Sequence, residues 1–299
     1  MFRDNKPIHL SPYDHPDIYP GPRPVSSFLF SNGVAHRIEE GAPSVEDSII
    51  HLSSSDHMYG SFIYPSHTKI TVRDYLEANQ LTPMIDRIPV LAYGSNVCLA
   101  QLLYKSSINK NVSDLFLCMR ATIIDTDVVY GALLAPYGAL PAIIAPVKDA
   151  RTEVWVTFLD KDQLEQMHQT EGGYEFRVHK GNKIELFANE SITNVYAYYY
   201  PRALFFHDSY YRFPDIPGVS SLPSMWQADM INECKMLCEF EGTREGFIHL
   251  VRWDHSFRLK VKQRLSKFES ILEHPDWEIA NDVYTMKELR KQNEKPPSL

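Results

Sequence analysis

The stretch Ile88-Pro-Val-Leu-Ala-Tyr-Gly-Ser-Asn96 is an apolar run that breaks into a small polar turn, and the amphipathic segment Val97-Cys-Leu-Ala-Gln-Leu-Leu-Tyr104 follows it. This pattern predicts a buried strand that ends where a helix starts. Gly94 permits a sharp turn or a close approach of the backbone to a ligand. Ser95 and Asn96 are residue types that cap a helix and satisfy its unpaired N–H groups. The junction therefore predicts an anion-binding cup at a helix N-terminus. The same four residues also serve as plain turn and cap chemistry elsewhere, and on their own they do not separate the two readings.

Working outward, residues 87–200 hold strand candidates at 88–93, 115–124, 128–134, 142–146, 154–158, 175–179, 183–187 and 194–199. These runs are rich in Val, Ile, Tyr and Phe, and Gly, Pro, Asp and Asn separate them. Two helices interrupt them, after Asn96 and after Asp160. That ratio predicts an α+β domain on a mixed or closed sheet rather than a doubly wound one.

The second helix has a clear start. Asp160-Lys-Asp-Gln163 is a variant of the capping box, with Asp160 as N-cap and Gln163 placed to reach back. Leu164, Met167 and His168 predict its inward face, and Thr170-Glu171-Gly172-Gly173 ends it. Glu171 then sits beside the negative end of the helix dipole, where a carboxylate is electrostatically disfavoured. Violations of local preference concentrate at functional or strained sites, while a solvent-exposed Glu before a Gly cap is the plain alternative.

The flanks read differently. Residues 1–86 begin with Pro7, Pro12, Pro16, Pro20, Gly21, Pro22 and Pro24, which predict an extended arm. Apolar clusters at Phe28-Leu-Phe30, Ile49-Ile50 and Ser61-Phe-Ile-Tyr64 and a helix over 71–78 follow, so this part is expected to be an extension packed on the main domain of residues 87–241. Beyond an aromatic loop at 204–214, helices are expected over 222–240 and 256–272, with residues 242–299 as a C-terminal helical extension and the last ten residues frayed.

Composition narrows the function classes. Hydrophobic residues at 44% and charged residues at 23% are globular values, which predicts a folded, soluble chain. A net charge of -8 disfavours a nucleic-acid binder, which needs a basic footprint. Arg258, Lys260, Lys262, Arg264 and Lys267 alternate with apolar residues and read as the solvated face of a helix. No run approaches the ~18 apolar residues of a membrane span, and the first residues lack the apolar region of a secretory signal, so a cytoplasmic location is the default. Cys98, Cys118, Cys234 and Cys238 are scattered in apolar contexts rather than in a disulfide framework. Cys234 and Cys238 share a helical face, but no second ligand pair accompanies them, and core packing is favoured over a metal.

Taken together, Tyr93-Gly-Ser-Asn96 after a strand, Leu140-Pro-Ala-Ile-Ile-Ala-Pro146, the strand Glu153-Val-Trp-Val-Thr-Phe158 and Glu171-Gly172 closing a helix resemble the γ-glutamylcyclotransferase-like family. The likeness is clearest over residues 88–200; 1–86 and those after about 242 have no counterpart. The resemblance implies a small mixed β-barrel with flanking helices, whose mouth binds a γ-glutamyl group. It further implies that the Tyr-Gly-Ser-Asn turn holds the substrate's carboxylate or its reacting carbonyl oxygen, and that Glu171 takes a proton from the substrate's α-amine. That amine attacks the γ-carbonyl, and 5-oxoproline and a free amine leave.

The chemistry suits the residues. Ring closure is intramolecular and benefits from proximity, a base primes the ammonium nucleophile, and N–H donors stabilise the developing oxyanion. No metal or redox cofactor is called for. Tyr93 fixes the turn, touches substrate through its hydroxyl or simply packs in the core, and Tyr196 on the last strand is the family's candidate for a pocket-lining Tyr, with Tyr198 and Tyr199 competing. His168, one turn before Glu171, either tunes it or is a satisfied half-buried side chain.

The expected substrate is thus a small γ-glutamyl amide, with the extensions serving as walls over the mouth or as surfaces for a homo-oligomer. Two other classes stand beside this enzyme: a non-catalytic barrel that binds a small carboxylate or a protein partner, and an amide hydrolase using Ser95 or Cys98. Glu171 favours catalysis over pure binding, and neither Ser95 nor Cys98 has an evident His partner.

Overall fold

The computed structural model describes residues 6–7, 10–52, 58–59 and 68–293. The cluster expected at 61–64 and the last six residues lie outside them. In chain order the strands are β1 (Lys6–Pro7), β2 (Phe28–Ser31), β3 (Val34–Ile38), β4 (Ile49–His51), β5 (Met58–Tyr59), β6 (Lys69–Thr71), β7 (Ile88–Ala92), β8 (Phe116–Tyr130), β9 (Ala142–Leu159), β10 (Glu175–His179), β11 (Ile184–Leu186), β12 (Tyr196–Tyr199), β13 (Arg202–Leu204), β14 (Gly218–Val219), β15 (Glu269–Ile271) and β16 (Trp277–Ile279). The helices are α1 (Val72–Ala78), α2 (Leu99–Ile108), α3 (Lys161–Thr170), α4 (Gln227–Leu237), α5 (Arg244–Trp253), α6 (His255–Leu265) and α7 (Met286–Asn293). None of the helices among the described residues is long and apolar enough to cross a membrane.

The fold is mixed α+β on one large sheet of twelve strands, in the order β16-β10-β12-β7-β9-β8-β2-β3-β4-β6, with β11 also beside β8 and β14 beside β9. The β12–β7 pair is parallel, through Tyr196 and Val90. The rest of the path is antiparallel, centred on the long β8–β9 hairpin. No closed barrel forms among the described residues, which corrects the expected small mixed β-barrel. A barrel closes only when its edge strands meet, and here both edges are extended instead. Strands β2, β3, β4 and β6 continue the sheet beyond β8, and β16 continues it beyond β10. Strands from before residue 87 and after residue 241 thus share one sheet with those of residues 87–241.

The β8–β9 hairpin also joins runs that the sequence divides. Asp125-Thr126-Asp127 reads as a turn, yet β8 passes through it with a register shift between Ile124 and Thr126. The irregularity is marked by a positive φ of 54° at Asp125. Asp127 is fully buried without cost to the strand because its carboxylate accepts from the Val128 N–H at 2.7 Å and from Arg212 Nε at 2.9 Å. Beyond residue 240 the helix expected over 256–272 is α6, which ends at Leu265 before residues 269–271 form β15, and α5 and α7 are helices that were not expected. Gly246 in the first turn obscures α5 in the sequence, but Thr243 caps it by accepting from the Gly246 N–H at 3.1 Å.

Alternation along β7 decides what faces the site. Ile88, Val90 and Ala92 pack with Trp155 on one side of the sheet, while Leu91 and Tyr93 belong to the larger core on the other. The C-terminal segment is tied down nearby by His274, which is 3% exposed and pairs with the Thr126 hydroxyl at 2.8 Å. Burial pulls its imidazole from 6.5 to about 4. Between those values the unfolded chain binds a proton that the folded chain refuses. Stability from this residue is therefore complete above pH 6.5 and lost as pH falls toward 4, at up to about 1.4 kcal/mol per pH unit. Urea unfolding of His274→Gln is expected to show a shallower loss of stability over that window than the wild type.

Candidate active site

At the end of β7 the chain turns through Tyr93 and Gly94 into a single 3-10 turn, Ser95–Val97, whose Ser95 carbonyl accepts from the Cys98 N–H at 2.9 Å. Helix α2 begins only at Leu99, and its N-cap is Cys98, which makes no side-chain cap bond. Ser95 and Asn96 therefore do not cap the helix, as their residue types predict. The 3-10 turn and Cys98 stand between them and the helix, and Asn96 is used differently: its amide donates to Glu171 Oε1 at 3.1 Å.

Glu171 is the residue after the last turn of α3, and its N–H donates to the Met167 carbonyl at 3.2 Å. The capping box that starts this helix is formed, with Asp160 and Gln163 bonded reciprocally at 2.8 and 3.0 Å. Leu164 and Met167 are buried, but His168 is exposed and lies off the site, its Nδ1 paired with the Tyr198 hydroxyl at 2.9 Å. The Glu171 side chain is 15% exposed and forms an ion pair with Lys105 Nζ at 2.7 Å. Lys105, in the last turn of α2, is 7% exposed at its side chain and donates also to Thr170 Oγ1 at 3.1 Å. The negative end of α3 is thus countered by an ammonium on the neighbouring helix.

A cavity of about 510 Å³ opens on this pair, and Tyr93, Gly94, Ser95, Asn96, Glu171 and Gly172 all contribute to its wall. The two halves of the sequence motif, 75 residues apart, are therefore in contact across one cavity. Tyr93 is buried and its hydroxyl donates to the Tyr198 carbonyl, which fixes the turn against β12. Tyr196 does not line the cavity, contrary to expectation. Its hydroxyl accepts from the Tyr284 N–H at 2.8 Å and its ring stacks on Phe176, so it anchors the C-terminal segment. Tyr198 contributes to the wall instead.

Residues from the flanks complete the site. The arm supplies Tyr19, whose hydroxyl accepts from the Ala142 N–H at 2.9 Å and is pushed up to about 12 by burial. It also supplies Arg23, 2% exposed, which reaches the carbonyls of Tyr93 at 3.5 Å and Gly94 at 3.3 Å. Gly94 has a negative φ of -99°, so it is not needed for a left-handed turn. It is needed for space: a Cβ there would stand 2.9 Å from the Tyr19 hydroxyl oxygen. Gly94→Val is expected to displace Tyr19 and to cost about 1–3 kcal/mol through overpacking, read as a lower denaturant midpoint.

No metal-binding group of three or more His, Cys, Asp or Glu exists among the described residues. Sequence reasoning missed Lys105, Arg23 and Tyr19. For Lys105 a signal was present: Gln101 and Lys105 lie one turn apart on the face where α2 buries Leu102, and polar residues there ask for partners. Arg23 and Tyr19 sit in a proline-rich arm with no periodicity to mark them.

No protein-family model and no curated protein matches the sequence. Among solved structures, the crystal structure of YkqA from Bacillus subtilis is similar over 91% of this chain and 98% of that one, at 9% identity and a TM-score of 0.29.

Proposed function

We propose that the protein is a γ-glutamylcyclotransferase-type enzyme, an amide-bond-cleaving acyltransferase, with Glu171 as its general base. The observation that carries this reading is the 3.1 Å contact between Asn96 of the turn and Glu171 at the mouth of a cavity. Both bonds to Glu171 from Asn96 and Lys105 fall on Oε1, and we assign Oε2 to the substrate's α-amine. In this account the α-ammonium gives a proton to Glu171 and its nitrogen attacks the γ-carbonyl carbon. N–H donors of the Gly94–Asn96 turn take up the charge that develops on the carbonyl oxygen. The tetrahedral intermediate collapses by breaking the bond to the departing nitrogen. The two protons shed by the α-nitrogen end on that nitrogen, one carried through Glu171. Holding the substrate folded is the largest contribution the cavity makes, because the reacting groups belong to one molecule.

A second reading draws on the Lys105–Glu171 pair, which would equally suit a non-catalytic cavity that binds a small carboxylate. The two are separated by incubating the protein with a γ-glutamyl amide and measuring 5-oxoproline. Release that depends on Glu171 supports the enzyme, and ligand binding without turnover supports the alternative.

A further inference from the structure

We infer, building on the cyclotransferase reading, that the two chain extensions, together with the β8–β9 connection, form a second subsite for the departing amine, and that it takes an aromatic amino acid. The cavity, at about 510 Å³, lies in the ~300–1,000 Å³ range of sites for drug-sized ligands. A bare γ-glutamyl group leaves much of it empty. Besides the turn and the end of α3, the wall draws on three separate segments: Tyr13 from the arm, Tyr137 from the β8–β9 connection, and Arg252 with Trp253 from the last turn of α5.

The chemistry of that wall is specific. Tyr13 and Tyr137 have ring centroids 4.4 Å apart at 51°, and Tyr104 at 5.1 Å from Tyr13 and Tyr19 at 6.5 Å from Tyr137 extend them into an aromatic wall. Trp253 is 73% exposed, an unusual placement for the largest apolar side chain. Its ring lies 5.8 Å from the Arg252 guanidinium. Of the Lys, Arg, Asp and Glu side chains in the cavity wall, Lys105 and Glu171 neutralise each other, which leaves the half-buried Arg252 as the uncompensated charge. Arg252 has no carboxylate partner among the described residues. An amine half that brings an aromatic ring and a carboxylate satisfies both features: the ring against Tyr13, Tyr137 and Trp253, the carboxylate on Arg252.

The test compares 5-oxoproline release from γ-glutamyl-phenylalanine, γ-glutamyl-alanine and γ-glutamyl-phenethylamine, the last lacking the distal carboxylate. Calorimetric binding of L-phenylalanine, the product amine, is measured alongside and needs no catalysis. The wild type is expected to favour the phenylalanine substrate over each of the others by about tenfold in kcat/KM, the discrimination of one charged hydrogen bond or one stacked ring. Arg252→Gln should collapse the preference over phenethylamine, and Trp253→Ala the preference over alanine; both should weaken L-phenylalanine binding. Equal turnover of all three substrates, with no L-phenylalanine binding, overturns the subsite and leaves the reaction standing. Arg252-dependent binding of L-phenylalanine without 5-oxoproline from any substrate overturns the reaction and leaves the subsite standing. The absence of both overturns both.

Discussion

Glu171→Gln is expected to lower 5-oxoproline release about a thousandfold, within the ~10²–10⁴ range that a positioned general base contributes, while the protein stays folded. The substitution is nearly isosteric. A Gln side-chain oxygen still accepts from the Asn96 amide and from Lys105 Nζ, which now stand 3.1 and 2.7 Å from Glu171 Oε1. What it cannot do is take a proton from the substrate's ammonium. The loss should therefore fall on kcat, with the circular dichroism spectrum unchanged. A variant that turns over at the wild-type rate removes Glu171 from the mechanism.

Lys105→Met is expected to cost about 3–5 kcal/mol of stability, the range for removing one partner of a buried ion pair. Both side chains are largely covered, at 7% and 15% exposure, so water offsets little of the loss. The Met side chain fills the space beside Met167 but leaves the Glu171 carboxylate with the Asn96 amide and no countercharge. Lys105 acts on chemistry only through Glu171, so the same variant should lower kcat more than it raises KM. The double variant Lys105→Met/Glu171→Gln should be more stable than the two single losses predict, by about 2 kcal/mol, because the residues share one interaction. Urea unfolding of the four proteins measures this coupling, and strict additivity would show that the pair carries no mutual stabilisation.

The strand-turn-helix junction at 88–108 and the capped helix α3 were readable in the sequence because each is specified locally. Alternation places Leu91 and Tyr93 on one face, and Asp160 and Gln163 mark a helix start within four residues. Errors arose where distant partners override local chemistry. Asp127 reads as a turn residue until Arg212, 85 positions away, pairs with it inside a strand. Tyr196 and Tyr198 are indistinguishable in the strand pattern, and the segment at 282–284 decides between them by occupying the Tyr196 hydroxyl. The expected barrel failed for the same reason. Strands contributed by residues 28–71 and 277–279 extend the edges that a barrel would have joined, and nothing in the central segment announces them. In the site itself, Glu171 was visible as a carboxylate placed against the helix dipole. Its countercharge was not, because Lys105 is brought to it by the packing of two helices.

The most direct measurement is the product formed from a γ-glutamyl amide in heavy-oxygen water. Cyclotransfer uses the substrate's own amine, so the account predicts 5-oxoproline without incorporated label, in equal amount to the released amine, and its loss in Glu171→Gln. Glutamate carrying the label in its γ-carboxylate would mean that water, not the α-amine, is the nucleophile, and would contradict the account.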